Sequence, residues 1–395
     1  MTLKSKYAEK INEFIESHKN EKTGSLNVEI GGEVRRVPTY KIPISFLRYN
    51  INNGRIKMEI REWEIKNRRE LSNIDLEDIK IIQRLLIEQS STDAELLKED
   101  LRRKGQLDAG VITHDGIVIN ANRRMAVYQE LHREDASGIW ESLEVAVLPA
   151  TVSHRDLWRI EAGLQLSKDK KVEYHPVNEL LKIREGIDAG LKPFEIAAAM
   201  FGRNEKYVKE GLERLDLIDG FLEYIDEPKN YGLIKVHQLH ESFINIHSRV
   251  TKHFDSKGMP PQRILQLVEY SYALIHASIE ERKKGKKGVR HLDIRKLKQV
   301  FEDDDATDTF IKNIKNANDP KDISSEEIIE DFKTAVDLCE LRNERNKPLT
   351  LLVRAYNALT SIDTNNLQYR ENAVKLELGR IKRQIDQMWR ELEGN

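Results

Sequence analysis

The rhythm of apolar and polar positions changes once along this chain, near residue 153. Before it, short strands and helices mix. Residues 4–18 put Tyr7, Ile11, Phe14 and Ile15 on one side of a helix. From Leu26 to Val37 the residues alternate around Gly31-Gly32, the pattern of a β-hairpin. Tyr40 to Leu47 predicts a further strand, and Arg48 to Arg55 a polar loop rich in turn residues. Residues 57–92 are charged and predict helix, and 93–104 a second helix with Ser91, Thr92 or Asp93 as its cap. Strands follow at Gly110 to Thr113, at Ile117 to Ile119 and at Leu143 to Leu148.

After Ser153 the strand signals end. Helical periods occupy 153–166, 176–189, 193–201, 204–215 and most of 236–395. The pattern predicts an α+β N-terminal domain followed by all-α regions. The expected segments are 1–36 (helix and hairpin), 37–152 (α+β domain), 153–235 (helical) and 236–395 (helical C-terminal domain). The last helix spaces Val374, Leu378, Ile381, Ile385, Met388 and Leu392 by alternating fours and threes. That heptad seam fits either a helix packed on its own domain or a dimerisation helix.

Composition narrows the classes. Of 395 residues 33% are charged, yet the formal net charge is -2, so any nucleic-acid site must be a local patch. The single cysteine, Cys339, excludes an internal disulfide framework and a cysteine-based zinc site, and fits a reducing cytoplasm. No apolar run approaches the ~20 residues of a membrane span. The basic stretch 282–290 precedes the acidic run 302–305; it reads either as a solvated loop or as a DNA-contacting arm.

The richest segment is 115–131. The Asp115-Gly116 turn leads into an apolar strand, then Asn120-Ala121-Asn122, then Arg123 and Arg124 at the start of an amphipathic helix. Helix N-termini present open N–H groups and a positive dipole end. Two arginines there suit a bound phosphate. The alternative is an ordinary pair bridging to Glu130 or Glu134.

Further on, Leu191 to Gly202 forms a helix with Pro193 in its first turn and Gly202 after its end. Arg203 to Leu212 forms a second. This is a helix-turn-helix pattern in which Ala197 and Ala198 permit close crossing and Val208 and Leu212 face the core. Lys192, Arg203, Asn204, Lys206, Tyr207 and Lys209 then face double-stranded DNA. Phosphate contacts would fall to Lys182, Arg184, Lys192, Lys206 and 282–298. A helical hairpin that reads no DNA is the plainer alternative.

With these elements in order, residues 37–220 resemble the ParB/sulfiredoxin superfamily followed by a ParB-type helix-turn-helix. Asn53-Gly54-Arg55 is similar to the family's Asn-Pro-Arg box. Leu101 to Ile112, with Gly105-Gln106, is similar to its helix–Gly–Gln–strand run. Ala121-Asn122-Arg123-Arg124 stands where ParB proteins have Gly-Glu-Arg-Arg. Glu161 to Gln165, continuing to Tyr174-His175-Pro176, looks like the Glu-Asn-x-Gln-Arg box. The resemblance implies a ParB/sulfiredoxin-like fold and a pocket for CTP or ATP with Mg2+. It implies that Arg123 and Arg124 hold the triphosphate, that Arg55 lines the pocket, and that Gly105 and Gln106 lie near the base. Asn120 and Asn122 would belong to the phosphate loop, and Glu161 and Gln165 to the fourth box, with either Glu161 standing in at the magnesium or Ala162 and Gly163 in the aligned positions. Three positions depart from the family: Ala121 replaces a glycine, Asn122 replaces a glutamate linked to hydrolysis, and Leu166 replaces the last arginine. Asn122 cannot act as a general base, and the loop lacks the nucleophilic cysteine of a sulfiredoxin.

His237, His240, Glu241 and His247 fall on one predicted helix, without the spacing or third ligand of a metal site. No Walker-type phosphate loop and no nucleophile elbow occur. The sequence therefore predicts a cytoplasmic, homodimeric ParB-like DNA-binding protein with a nucleotide-binding domain, acting in partition, regulation or phage defence. A nucleotide-dependent nuclease or weak NTPase of the same fold, or a ligand-free interaction module, are the alternatives.

Overall fold

The computed structural model describes residues 3–135, 138–165, 175–200, 202–316, 323–343, 347–366 and 372–393. The chain divides into two compact units, Met1–Lys298 with Ala317–Ile329, and Gln299–Asn316 with Glu330–Asn395.

The first unit begins with α1 (Leu3–Ser17) and a six-stranded mixed sheet. Its strands are β1 (Gly24–Ile30), β2 (Glu33–Pro43), β3 (Arg48–Tyr49), β4 (Gly110–Ile112), β5 (Ile117–Asn120) and β6 (Ser142–Val147), in the order β1-β2-β6-β4-β5-β3. The β1–β2 hairpin turns on Gly31 and Gly32, both at positive φ, as a two-residue turn requires. The strand predicted at Tyr40 to Leu47 is not separate. It is the second half of β2, which pairs first with β1 and then with β6 before ending at Pro43. β4 runs parallel to β6 and β3 parallel to β5; the other pairs are antiparallel.

Alternation sorts the strand residues onto two faces. Tyr40, Ile42, Ile112, Val118, Leu143 and Val145 join one core. It is covered by α1, α2 (Lys57–Asn67), α3 (Leu76–Glu88), α4 (Ser91–Lys104) and α5 (Asn122–Glu134), through Ile11, Ile60, Ile82, Leu101 and Met125. Val37, Val111, Ile119 and Ala146 face the other way, onto Leu157 and Ile160 of α6 (His154–Gln165). Helix was predicted through 57–92, but the chain breaks between α2 and α3. Arg68 adopts a left-handed conformation after α2, and Asp75 caps α3 by accepting from Glu77 and Asp78 N–H.

Next come α7 (Pro176–Asp188), α8 (Pro193–Ala199) and α9 (Glu205–Tyr224). The second helix of the predicted helix-turn-helix is thus longer than its pattern, reaching Tyr224. α9 lies close on α7 because Gly211 faces it: a Cβ there would meet Ile183 Cδ1 at 3.0 Å. Ile196, Ala197, Val208 and Leu215 are buried, while Ala198 is exposed and Leu212 half-buried. The crossing pair is therefore Ile196-Ala197, and α9 inserts Val208, Gly211 and Leu215.

Short helices α10 (Gly232–Val236), α11 (His240–Ile246) and α12 (Lys252–Ser256) follow, with a π-helical turn at His247–Thr251 between α11 and α12. Then come α13 (Pro261–Lys283) and α14 (His291–Ile294). The histidine cluster expected on one helix is split: His237 ends α10 and His240 begins α11.

The second unit draws on α15 (Leu297–Phe301), α16 (Asp304–Asn316), α17 (Ser325–Asn343), α18 (Pro348–Thr360) and α19 (Asn372–Glu393). Phe301, Phe310 and Phe332 form its core, and Arg342 bridges Asp303 and Asp305. α18 and α19 have no buried residue. Along the heptad face of α19, Val374 is half-buried, and Leu378, Ile381, Ile385, Met388 and Leu392 are exposed. No helix among the described residues is long and apolar enough to cross a membrane.

Candidate functional site

The loop before α2 is pinned from several sides. Asn50 N–H donates to Asn122 Oδ1 at 3.0 Å, and Asn122 Nδ2 donates to the Val118 carbonyl at 2.6 Å. Asn53 Oδ1 accepts from Arg55 N–H at 2.9 Å, tightening the Asn53-Gly54-Arg55 turn. Gly54 N–H donates to Glu161 Oε1 at 3.1 Å, and Glu161 Oε2 meets Lys182 Nζ of α7 at 2.8 Å. The Arg55 carbonyl accepts from Gln89 and from Asn178 Nδ2 of α7, the latter at 3.1 Å. Three helices, α3, α6 and α7, therefore hold one three-residue turn.

Arg123 points into this corner. Its Nη2 donates to Gln89 Oε1 at 2.7 Å and its Nε to the Leu86 carbonyl at 3.3 Å, with Asp93 at 3.9 Å. Gln89 thus joins Arg123 to Arg55 through its two amide atoms. Burial, and then the positive charge of Arg55, push the Arg123 guanidinium below its ordinary pKa. Asp93 and Glu59 oppose that push in part.

Arg124 turns the other way, donating to the Asp108 carbonyl in the α4–β4 connection. Gly105 ends α4 at φ 68, and Gln106 pairs with the backbone of Glu144 in both directions, at 2.7 and 2.9 Å. The predicted residues therefore form two groups flanking the first turn of α5: Arg55 and Arg123 on one side, Arg124, Gly105 and Gln106 on the other. Asn120 closes β5 between them. The alternative partners of the arginines are taken, since Lys98 meets Glu130 and Glu134 at 3.3 and 2.6 Å.

Ala121 stands before α5 at φ 100 and ψ 16, a left-handed conformation favoured by glycine. No side chain caps α5. Its first N–H groups therefore have no intrahelical partner. The backbone that glycine serves best thus carries a Cβ here.

Several predicted ligands already have structural duties. Asn122 is buried in the loop clasp, Gln106 is spent on β6, and Glu161 is held by Gly54 and Lys182. Glu161 is thus not a ready magnesium ligand. No group of three His, Cys, Asp or Glu side chains among the described residues could hold a metal. The side chain of Gln165, with Leu166, Lys168, Lys170, Lys171 and Tyr174, lies outside the described residues. A cavity of about 500 Å³ opens beside the loop, lined by Asn50, Asn52, Trp158, Glu161, Glu185 and Asp188 among others. It is bordered by none of the three arginines, and its carboxylates repel a triphosphate.

Sequence reasoning missed Gln89, Asn178 and Lys182 as parts of this corner. Gln89 ends a charged helix, and nothing in its spacing marks it. Lys182 sits on the apolar face of α7 among Val177, Leu181 and Ile183, an anomaly that periodicity exposes once burial is considered. Expected as a phosphate contact, Lys182 has no exposed side-chain surface and cannot reach DNA.

At the helix-turn-helix, Asn204 caps α9 by accepting Tyr207 N–H at 2.8 Å. Gly202 provides the turn at φ 71. Arg203 lies over the Tyr207 ring, and both side chains meet Glu179 Oε1 of α7, at 2.9 Å each. They brace α9 against α7. Lys192, Lys206 and Lys209 remain exposed, the last two beside Glu210 and Glu205. Arg184 pairs with Asp216 and Asp219. In the 282–290 stretch Arg282 donates to the His237 and Val289 carbonyls, and Lys284 and Lys286 meet Glu281. Much of that basic charge is neutralised locally, as in a solvated loop. Compared with protein-family models, with curated proteins and with solved structures, the chain has no match.

Proposed function

We propose that the chain is a ParB-like DNA-binding protein whose N-terminal α+β domain binds a nucleoside triphosphate, CTP or ATP, at the start of α5. The observation that carries the reading is that Arg123, within the electrostatic reach of Arg55, belongs to the first turn of a helix with no side-chain cap. Backbone N–H groups and guanidinium forks suit phosphate oxygens. The Asn53-Gly54-Arg55 turn is gripped by Asn178 of α7 directly and by Lys182 of α7 through Glu161, and α7 packs on α9. A phosphate drawing on Arg55 would thus be felt by the helix-turn-helix, biasing its hold on DNA by differential affinity. Exposed Lys192, Lys206 and Lys209 supply phosphate contacts, and the uncovered faces of α18 and α19 supply a homodimer. No hydrolytic step is assigned: Asn122 is no base, and Glu161 is already paired.

A ligand-free interaction module is the second reading. The observation in its favour is that Gln106, Asn122 and Glu161 all have partners within the fold. Fluorescence anisotropy of a labelled duplex, with each of the four ribonucleoside triphosphates and without, separates the two. The first reading predicts duplex binding that falls steeply with salt and changes several-fold with one nucleotide. Unchanged binding with every nucleotide favours the module, and no duplex binding at low salt sinks the DNA assignment.

A further inference from the structure

α9 continues three turns beyond the helix-turn-helix, and its far half has other neighbours. Glu213 to Tyr224, the π-helical turn and α12, and the first half of α13 line an open pocket of about 680 Å³. That lies within the ~300–1,000 Å³ of small-molecule sites. Its floor is apolar: Leu217, Ile264, Val268 and the Tyr272 ring. Tyr272 donates to the Leu217 carbonyl at 2.7 Å, and Gly220 makes room for it, since a Cβ there would meet the phenol oxygen at 3.0 Å. Tyr224 adds a second ring, 6.0 Å from the first between centroids.

The rim is acidic. Glu213, Asp216, Asp255 and Glu269 all border the cavity. Glu213 is matched by Lys252 and His247, and Asp216 by Arg184, so Asp255 and Glu269 set the sign of the opening. The Tyr272 hydroxyl registers this field: burial first, then Glu269, Asp219, Asp216 and Glu223, raise its pKa.

We propose that this pocket binds an amphiphilic organic cation, its apolar or aromatic body on Leu217, Ile264, Val268 and Tyr272, and its ammonium or amidinium group at Asp255 and Glu269 on the rim. Aromatic faces and carboxylates favour a cation together. The compact volume suits a small molecule rather than a length of peptide helix. None of its lining residues belongs to α5, and its test needs neither nucleotide nor DNA.

The test titrates the full-length protein with 4-phenylbutylamine, 4-phenylbutanol and 4-phenylbutyrate by calorimetry and thermal shift. The amine binds and raises the melting temperature, and the carboxylate binds at least about tenfold more weakly. Asp255→Asn with Glu269→Gln weakens the amine by about tenfold and leaves the alcohol unchanged. Circular dichroism confirms the variants' fold. Equal binding of amine and carboxylate overturns the proposal. So does amine binding insensitive to Asp255 and Glu269, or absence of amine binding up to about 1 mM.

Discussion

Glu161 and Lys182 form an ion pair at 2.8 Å, with 5% and 0% of their side chains exposed. The pair joins α6 to α7, and the same carboxylate holds Gly54 N–H. Lys182 also lies 5.7 Å from the Trp158 ring centroid, and Trp158 Nε1 donates to the Lys182 carbonyl at 2.9 Å. A buried pair is weak evidence of net stability, but removing one partner strands a charge. Lys182→Met is expected to cost about 3–5 kcal/mol in urea unfolding. The Glu161→Gln, Lys182→Met double variant recovers part of the loss in a double-mutant cycle. A single-variant cost below about 1 kcal/mol would contradict the clasp.

Ala121 offers the opposite sign. Its left-handed backbone costs an L-residue about 1–2 kcal/mol, of which glycine's extra unfolded-state entropy returns part. Ala121→Gly is therefore expected to stabilise by up to about 1 kcal/mol. Ala121→Val destabilises, since a β-branched residue tolerates this region worst. Denaturant midpoints decide, and a destabilised glycine variant would show the backbone reading to be incorrect.

Much of this was legible in the sequence, and the part that was not has a common cause. The hairpin at Gly31-Gly32, the strands around Asp115-Gly116 and the helix-turn-helix with Gly202 follow from period and turn chemistry. The junction before Arg123 was visible because strand, small loop and paired arginines adjoin in sequence. Its wiring was not: Gln89, Asn178 and Lys182 reach Arg55, Arg123 and Glu161 across tens of residues. The sequence grouped Arg123 and Arg124 as one fork, whereas successive helical residues diverge by ~100°, sending them to different neighbours. Likewise Arg203 and Tyr207 looked like groove contacts because nothing local discloses Glu179.

The N-terminus of α7 carries a pH response. His175 Nδ1 accepts Val177 N–H at 3.3 Å, so its capping form is neutral. Burial, then Lys235 and His240, lower its pKa from 6.5 to about 4. Above pH 6.5 the ring is neutral in folded and unfolded chains, and its contribution is fully present. As pH falls from 6.5 toward 4, the unfolded chain takes up a proton that folded His175 refuses, and stability declines. Urea unfolding at about pH 7 and about pH 5 should show this slope, reduced in His175→Asn, which still caps but does not titrate. An identical slope in the variant would remove His175 from the account.

α18 and α19 expose Leu352, Val353, Ile381, Ile385 and Met388 in aqueous solvent. An uncovered seam of this kind marks an interaction surface. Light scattering with size-exclusion chromatography is expected to find a dimer that becomes a monomer when 347–395 is removed or when Ile381→Glu and Ile385→Glu are introduced. A monomeric full-length chain at high concentration would contradict the dimer.

The central claim is that an anion site at the start of α5 uses Arg55 and Arg123. It is tested most directly by calorimetric titration of the full-length protein with CTP and with ATP, for the wild type, Arg55→Ala, Arg123→Ala and Lys209→Ala. The account predicts saturable binding of one nucleotide to the wild type and to Lys209→Ala. It predicts a loss of about tenfold to a hundredfold in each of the other two, the scale of a charge-assisted phosphate contact. Binding that survives both Arg55→Ala and Arg123→Ala unchanged, or no binding of any triphosphate by the wild type, would contradict it.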